Sequence, residues 1–253
     1  MSFRKRTALV REPPKSFPAC ITAYTFRNSI NYQKAISQHR EYCRVLEELG
    51  LEVIKLESEE QFPDSCFVED TAVIHGNKAF ISHFGAVSRQ GEEEKVLMTL
   101  SQTLKVKRCL EPATIEGGDV IHFSNYLIAG ITKRSTRQGI KQLESWLGIN
   151  VKPIEDPSIV HLKSYVTALN ETTIITVRKY VDNSSLKKFT KIVISEKDFY
   201  AANTLTINDI VIIPAGFPAV TKMIQQHGFE VLTVDMTEFQ KCEGAVTCLS
   251  LLY

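Results

Sequence analysis

One order of elements recurs along this chain: an amphipathic helix, a strand, a polar loop and a tight hairpin. The first copy opens at Asn31, a side chain suited to cap a helix. It sets Tyr32, Ala35, Ile36, Cys43, Leu46 and Leu49 at helical spacing before Gly50 ends the run. A strand over Leu51 to Leu56 follows, then a polar loop, then strands Thr71 to His75 and Lys78 to Ser82 turning at Gly76 and Asn77. The second copy has a helix over Glu92 to Leu104, a strand over Lys105 to Leu110, a loop through Gly118 and a turn at Ser124 and Asn125. The third runs from a helix over Thr136 to Leu147, through Val151 to Ile154, to a turn at Asn170 and Glu171; the fourth, with an irregular helix, turns at Asn208 and Asp209. A helix over Pro218 to His227, a strand over Val231 to Asp235 and the apolar tail Cys248 to Leu252 begin a fifth, whose partner strand is Thr7 to Val10.

Five copies in 253 residues give a period of about 50, in the range of arrays and propellers. The pattern predicts an α/β chain of ββαβ units closed into a ring, a single domain over residues 1–253. An open doubly wound sheet also alternates strands with helices, but it joins its strands mostly by helices and seldom by tight hairpins. In a ring, the loop before each hairpin holds the same place in every unit, so the five loops converge at one end. They carry Asp64, Glu69 and Asp70, then Glu116 and Asp119, then His161 and Lys163, then Asn203, then Glu243 and Cys248.

Thirty Lys and Arg against 29 Asp and Glu leave a formal charge of +1, so no bulk field draws a polyanion and nucleic acid is not an expected partner. The longest apolar runs, such as Ile210 to Ile213, are far short of the ~20 residues that span a bilayer. Near the start, Arg4, Lys5, Arg6 and Arg11 flank only Ala8, Leu9 and Val10, too short an apolar stretch for a signal peptide, and a cytoplasmic location is expected. Six cysteines without a CxxC pair predict free thiols, and the histidines show no metal-binding spacing, so no structural metal is expected.

Cys248 sits at the mouth of the predicted ring, where a base or positive charge would make its thiol a nucleophile; in an apolar strand elsewhere it would be a small buried hydrophobe. His161 is placed to shuttle a proton, or else is an ordinary half-buried histidine. Phe62 to Asp70 (FPDSCFVED) sets three carboxylates, Asp64, Glu69 and Asp70, among apolar neighbours. Buried carboxylates are costly unless a cation faces them, and a guanidinium suits them best because its planar fork makes paired charge-assisted bonds. The bland alternative is a solvated acidic loop, more so for Glu69 than for Asp70. Glu116 is followed by Gly117 and Gly118, where a missing side chain admits close approach of a ligand. No GxGxxG or GxxxxGK[ST] occurs, so no phosphate-bearing cofactor is implied. Arg89 and Arg134 are candidates for a carboxylate clamp.

These residues resemble the dimethylarginine dimethylaminohydrolases of the guanidino-modifying superfamily, over essentially the whole chain. The carriers are FPDSCFVED, Gly85 with Ser88 and Arg89, Ile115 to Asp119 (IEGGD), Lys133 to Thr136, His161 to Ser164 (HLKS), Tyr200 to Asn203 (YAAN) and Glu243 to Ser250 (EGAVTCLS). The resemblance implies a five-bladed α/β propeller, the pentein fold, and hydrolysis of methylated arginine to citrulline and a methylamine without a cofactor. It implies Cys248 as nucleophile, His161 as general acid and base, and Glu116 as the carboxylate holding both guanidinium and His161. Asp64, Glu69 and Asp70 would bind substrate nitrogens, Arg89 and Arg134 the α-carboxylate, with Ile21 matching a lid residue and Cys242 a substrate-contacting backbone position. The partner is a small guanidino substrate, and a homodimer is compatible with it. His83, Phe84 and Gln90 depart from the family pattern, and Lys163 stands where arginine deiminases carry Asp. Hydrolysis of another guanidine or ureido compound, or a non-catalytic guanidine-binding propeller, are the alternatives.

Overall fold

The computed structural model describes residues 7–25 and 29–253; Arg4, Lys5 and Arg6 lie outside them. The chain starts with strand β1 (Thr7–Arg11), helix α1 (Tyr32–Glu48) and β2 (Glu52–Leu56). Asn31 caps α1 as expected, its side chain accepting from the Lys34 N–H, and Gly50 leaves it at φ +86°. The face carrying Ala35, Ile36, Tyr42, Cys43 and Leu46 is buried, and that packing rather than propensity holds a surface helix in place.

Three further units repeat one plan: a hairpin, then a crossover helix, then a strand returning parallel to the second hairpin strand. They are β3 (Ala72–His75), β4 (Lys78–Ile81), α2 (Glu93–Leu100) and β5 (Lys105–Arg108); β6 (Val120–His122), β7 (Tyr126–Ile131), α3 (Arg137–Leu147) and β8 (Asn150–Glu155); and a third that follows the next unit. That intervening unit has β9 (Val166–Ala168), β10 (Thr173–Val177) and β11 (Thr190–Ile194), but its crossover is two 3-10 turns, Arg178–Tyr180 and Ser184–Leu186. Asp182, Asn183, Ser184 and Ser185 interrupt any apolar face there, and Asn183 caps the second turn instead. The remaining unit is β12 (Leu205–Ile207), β13 (Ile210–Pro214), α4 (Pro218–Gln226) and β14 (Glu230–Val234). Its hairpin turns through Asn208 and Asp209 at φ +50° and +68°, the left-handed pair that a two-residue turn of this hand needs.

A short helix α5 (Thr237–Gln240) leads to the last strand, β15 (Ser250–Leu252). It pairs antiparallel with β1 in the register Ala8↔Leu252, Leu9↔Leu251 and Val10↔Ser250, so both ends of the chain share one sheet with β2. Among the described residues the result is a mixed α/β fold of five three-stranded sheets, consistent with five repeated units. β10, the central strand of its sheet, is buried throughout, as a strand covered on both faces should be. No helix among the described residues is long and apolar enough to cross a membrane.

One expectation fails here. Cys20 and Cys242, taken as free thiols, form a disulfide across a sequence separation of 222 residues. Spacing rules detect cysteines that are near in sequence, whereas these two are brought together only by tertiary folding. Cys43, Cys66, Cys109 and Cys248 remain free.

Candidate active site

Each hairpin is entered through a short 3-10 turn, and these turns are where the site is built. Glu116 immediately precedes the turn Gly117–Asp119, and His161 holds the same place before the turn Leu162–Ser164. Glu69 and Asp70 lie within the turn Val68–Thr71. A turn this tight projects its residues toward its neighbours in adjacent units, and the glycines let the turns touch. A Cβ on Gly117 would fall 2.0 Å from the carbonyl oxygen of Glu69; on Gly118 it would fall 2.6 Å from Asp70 Oδ1 and 2.9 Å from the His161 ring. The two glycines thus admit the protein's own backbone and side chains.

Around this junction His161 Nε2 donates to Glu116 Oε2 at 2.7 Å and lies 3.6 Å from Asp70 Oδ1. Burial works against a charge on His161, but the carboxylate of Asp70 and the hydrogen bond to Glu116 outweigh it and raise its pKa to about 9. Glu116, fully buried, also accepts from the Gly85 N–H at 3.0 Å. Asp70 accepts from the Gly118 N–H at 3.0 Å and from Arg89 Nη1 at 2.8 Å. Although burial opposes ionisation of Asp70, His161 and Arg89 hold its carboxyl below the usual range.

Cys248 lies against the same carboxylates. Its carbonyl accepts from the Glu69 N–H at 3.1 Å, and its Sγ accepts from the Ala245 N–H at 3.5 Å. Burial, then the charges of Glu69 and Asp70, push the thiol up to about 12, so it is protonated at rest. Glu69, read from sequence as the carboxylate more apt to be solvated, is buried, held by Lys163 Nζ at 2.6 Å and Thr247 Oγ1 at 2.7 Å.

The two arginines separate. Arg89 is buried, stacked on Phe84 with its carbon 4.6 Å from the ring centre, and bonded to Asp70, both oxygens of Glu92 and the Phe67 carbonyl. Its guanidinium is therefore occupied by internal acceptors. Arg134 is 3.8 Å from Glu116 Oε1, and its buried Nη1 makes no hydrogen bond. Asp64 is buried and accepts from the Ile21 N–H at 3.1 and 3.2 Å, while the Ile21 side chain is 40 % exposed. Cys242, through its disulfide, ties the start of that segment to the turn before Cys248.

Asp119, which the sequence placed among the converging loop carboxylates, supports the site together with two groups that the sequence reading missed. Asp119 accepts from the Leu162 N–H at 2.8 Å and from Thr132 Oγ1 at 2.8 Å, steadying the residue after His161; burial raises it to about 6. Glu92 pairs with Arg89 and is raised by burial to about 7. Arg11, counted only as terminal charge, is fully buried against Glu59 at 2.9 Å. Glu92 stands three residues from Arg89, a spacing that local rules can pair, whereas no spacing rule links Arg11 to Glu59. Asp70, Glu116 and His161 offer donor atoms within 4.8 Å of one another. All three already hold protein hydrogen bonds or ion pairs, and the two carboxylates suit a flat organic cation at least as well as a metal.

A family model for N,N dimethylarginine dimethylhydrolase, eukaryotic, matches residues 21–251. The chain belongs to the dimethylarginine dimethylaminohydrolase family. A dimethylarginine dimethylaminohydrolase of Pseudomonas aeruginosa is 31 % identical over 250 residues, covering 97 % of this chain and 98 % of the relative. The crystal structure of a cysteine-to-serine mutant of the Pseudomonas aeruginosa enzyme, complexed with citrulline, superposes with a TM-score of 0.95 at 30 % identity, covering 99 % of this chain and all of the other. A bifunctional arginine dihydrolase/ornithine cyclodeaminase of Nostoc is 26 % identical over 86 % of this chain, which spans 33 % of that protein. As a member of the dimethylarginine dimethylaminohydrolase family, the protein is a cysteine-dependent amidine hydrolase acting on a small molecule.

Proposed function

We propose that the protein converts Nω-methylated arginine, asymmetric dimethylarginine or monomethylarginine, to citrulline and dimethylamine or methylamine, with Cys248 as the nucleophile. The observation that carries this reading is the convergence of a thiol, a protonated histidine and two buried carboxylates from separate units on one junction. We read the five sheets as the blades of a five-bladed α/β propeller, with residues 1–253 as its single domain and this junction at one end.

In the resting site burial, and after it the charges of Glu69 and Asp70, keep the proton on the thiol. A guanidinium entering beside Asp70 and Glu116 reverses that balance: it satisfies carboxylates whose burial is costly and stabilises a thiolate facing its carbon. The thiol then releases its proton to solvent, and the sulfur attacks the guanidinium carbon. His161, charged at neutral pH, gives a ring proton to the departing methylamine as the carbon–nitrogen bond breaks, leaving a covalent thiouronium. The neutral imidazole takes a proton from water, the resulting hydroxide adds to the same carbon, and the carbon–sulfur bond breaks as the added hydroxyl gives its proton to the departing sulfur, releasing citrulline and restoring the thiol. In this reading Arg134, with its unbonded Nη1, meets the substrate α-carboxylate, and Arg89 acts indirectly by holding Asp70. Asp64 and Cys242 contribute by fixing the Ile21 segment at the rim.

Hydrolysis of unmethylated arginine is the second reading, favoured by the similarity to the Nostoc dihydrolase. Purified protein should release citrulline and methylamine from methylated arginines, and Cys248→Ser should release none. Turnover of arginine with none of its methylated forms would replace the first reading by the second, and absence of citrulline from all three would remove both.

A further inference from the structure

The most deeply buried lysine near the nucleophile takes no part in the reaction proposed above. Lys163 is 9 % exposed, a degree of burial at which lysine needs a carboxylate partner. That partner is Glu69, through its Oε1, while Oε2 accepts from Thr247 Oγ1. Thr247 directly precedes Cys248. Its own N–H donates to Asn203 Oδ1 at 3.0 Å, and Asn203 Nδ2 donates to Thr247 Oγ1 at 3.1 Å and to the Lys163 carbonyl at 3.2 Å. Each oxygen of Glu69 therefore already accepts a short bond, and the Glu69 N–H holds the Cys248 carbonyl.

We propose that Lys163, Glu69 and Thr247 are positioning residues for the nucleophile: they hold the Cys248 turn in place and bring one ammonium within electrostatic range of a sulfur otherwise faced by carboxylates. This rests on Cys248 being the nucleophile and departs from a role for Glu69 as a ligand of substrate nitrogens. The groups acting on the sulfur are Glu69 and Asp70, which oppose a thiolate, and Lys163 with the Ala245 N–H, which favour one; the buried hydroxyls of Tyr42 and Tyr200 lie within range of the same charge. Removing the ammonium and removing the carboxylate must then act on the thiol in opposite directions, which a scaffold without an electrostatic role would not do.

The test is the rate of Cys248 alkylation by iodoacetamide, read by peptide mass spectrometry across neutral to alkaline pH, which needs no substrate. Lys163→Met should slow alkylation and Glu69→Gln should speed it, each by roughly tenfold at fixed pH, the effect of about one unit of pKa. Lys163→Arg should restore much of the rate. Lys163→Met should also lower kcat about tenfold or more while KM stays within about twofold. Should Lys163→Met fail to fold, the acceleration in Glu69→Gln still decides the sign. Shifts of the same sign, unchanged alkylation, or a rise in KM alone would overturn the proposal, the last by returning Glu69 to the substrate. If no methylarginine is hydrolysed, the functional reading fails while the alkylation rates still judge this one.

Discussion

Replacing Cys20 and Cys242 by serine opens a covalent loop that closes over a sequence separation of 222 residues. In the chain-entropy account, a cross-link over a loop of that length destabilises the unfolded ensemble by ~5 kcal/mol, and residual structure in the unfolded chain makes this an upper figure. Both half-cystines are buried, so the serine hydroxyls would also enter an apolar site beside Phe17 and Phe239 and lower stability further. For a chain of this size the loss corresponds to a fall in melting temperature of about 10 °C. The bond also anchors the segment whose Ile21 and Ala23 N–H groups donate to Asp64 and Glu243, so KM should rise with loss of the tie while alkylated Cys248 forms as before. Thiol titration of the unfolded protein without reductant should find the four free cysteines, and six after reduction. Calorimetry of wild type with and without reductant should reproduce the drop seen in the double variant. Six thiols before reduction, or a melting temperature indifferent to reductant, would refute this reasoning.

Three further outcomes are expected. Gly118→Ala would set a methyl against Asp70 Oδ1 and the His161 ring, and overpacking of this kind costs ~1–3 kcal/mol; turnover should fall ~100-fold from misplaced side chains, measured as citrulline release beside a folded circular dichroism spectrum, and full activity would show that the junction yields. His161, raised to about 9 in the folded state, contributes stability that is complete below its unfolded value near 6.5 and lost as pH rises through 9, at most ~3 kcal/mol. His39 works in the opposite sense: burial lowers it to about 3, so its contribution is present above pH 6.5 and lost as pH falls toward 3. Urea unfolding across pH should flatten on the alkaline side in His161→Asn and on the acid side in His39→Leu.

Periodicity alone located most of the elements, because helices, hairpins and strands obey local rules: Asn31 as a cap, Gly50 as a stop, Asn208 and Asp209 as a left-handed turn. Where local rules gave weak signals, boundaries moved; the helix expected over Glu92 to Leu104 spans only Glu93–Leu100, and the irregular crossover after β10 proved to be 3-10 turns. The pairing of Thr7 to Val10 with the tail was legible because two short apolar strands were left over at the chain ends. The site was legible as a set of residue types, since a thiol, a histidine and acidic loops at equivalent places in a repeat have few other uses.

What each of those residues touches was a different matter. Arg89 turns inward to Asp70 and Glu92 while Arg134 keeps a free N–H; Glu69 binds a lysine, and two cysteines 222 positions apart join. Sequence patterns report periodicity and capping because those forces act over a few residues. Ion pairing, burial and disulfide formation depend on distance in space, and five separate turns acquire that distance only when the units pack.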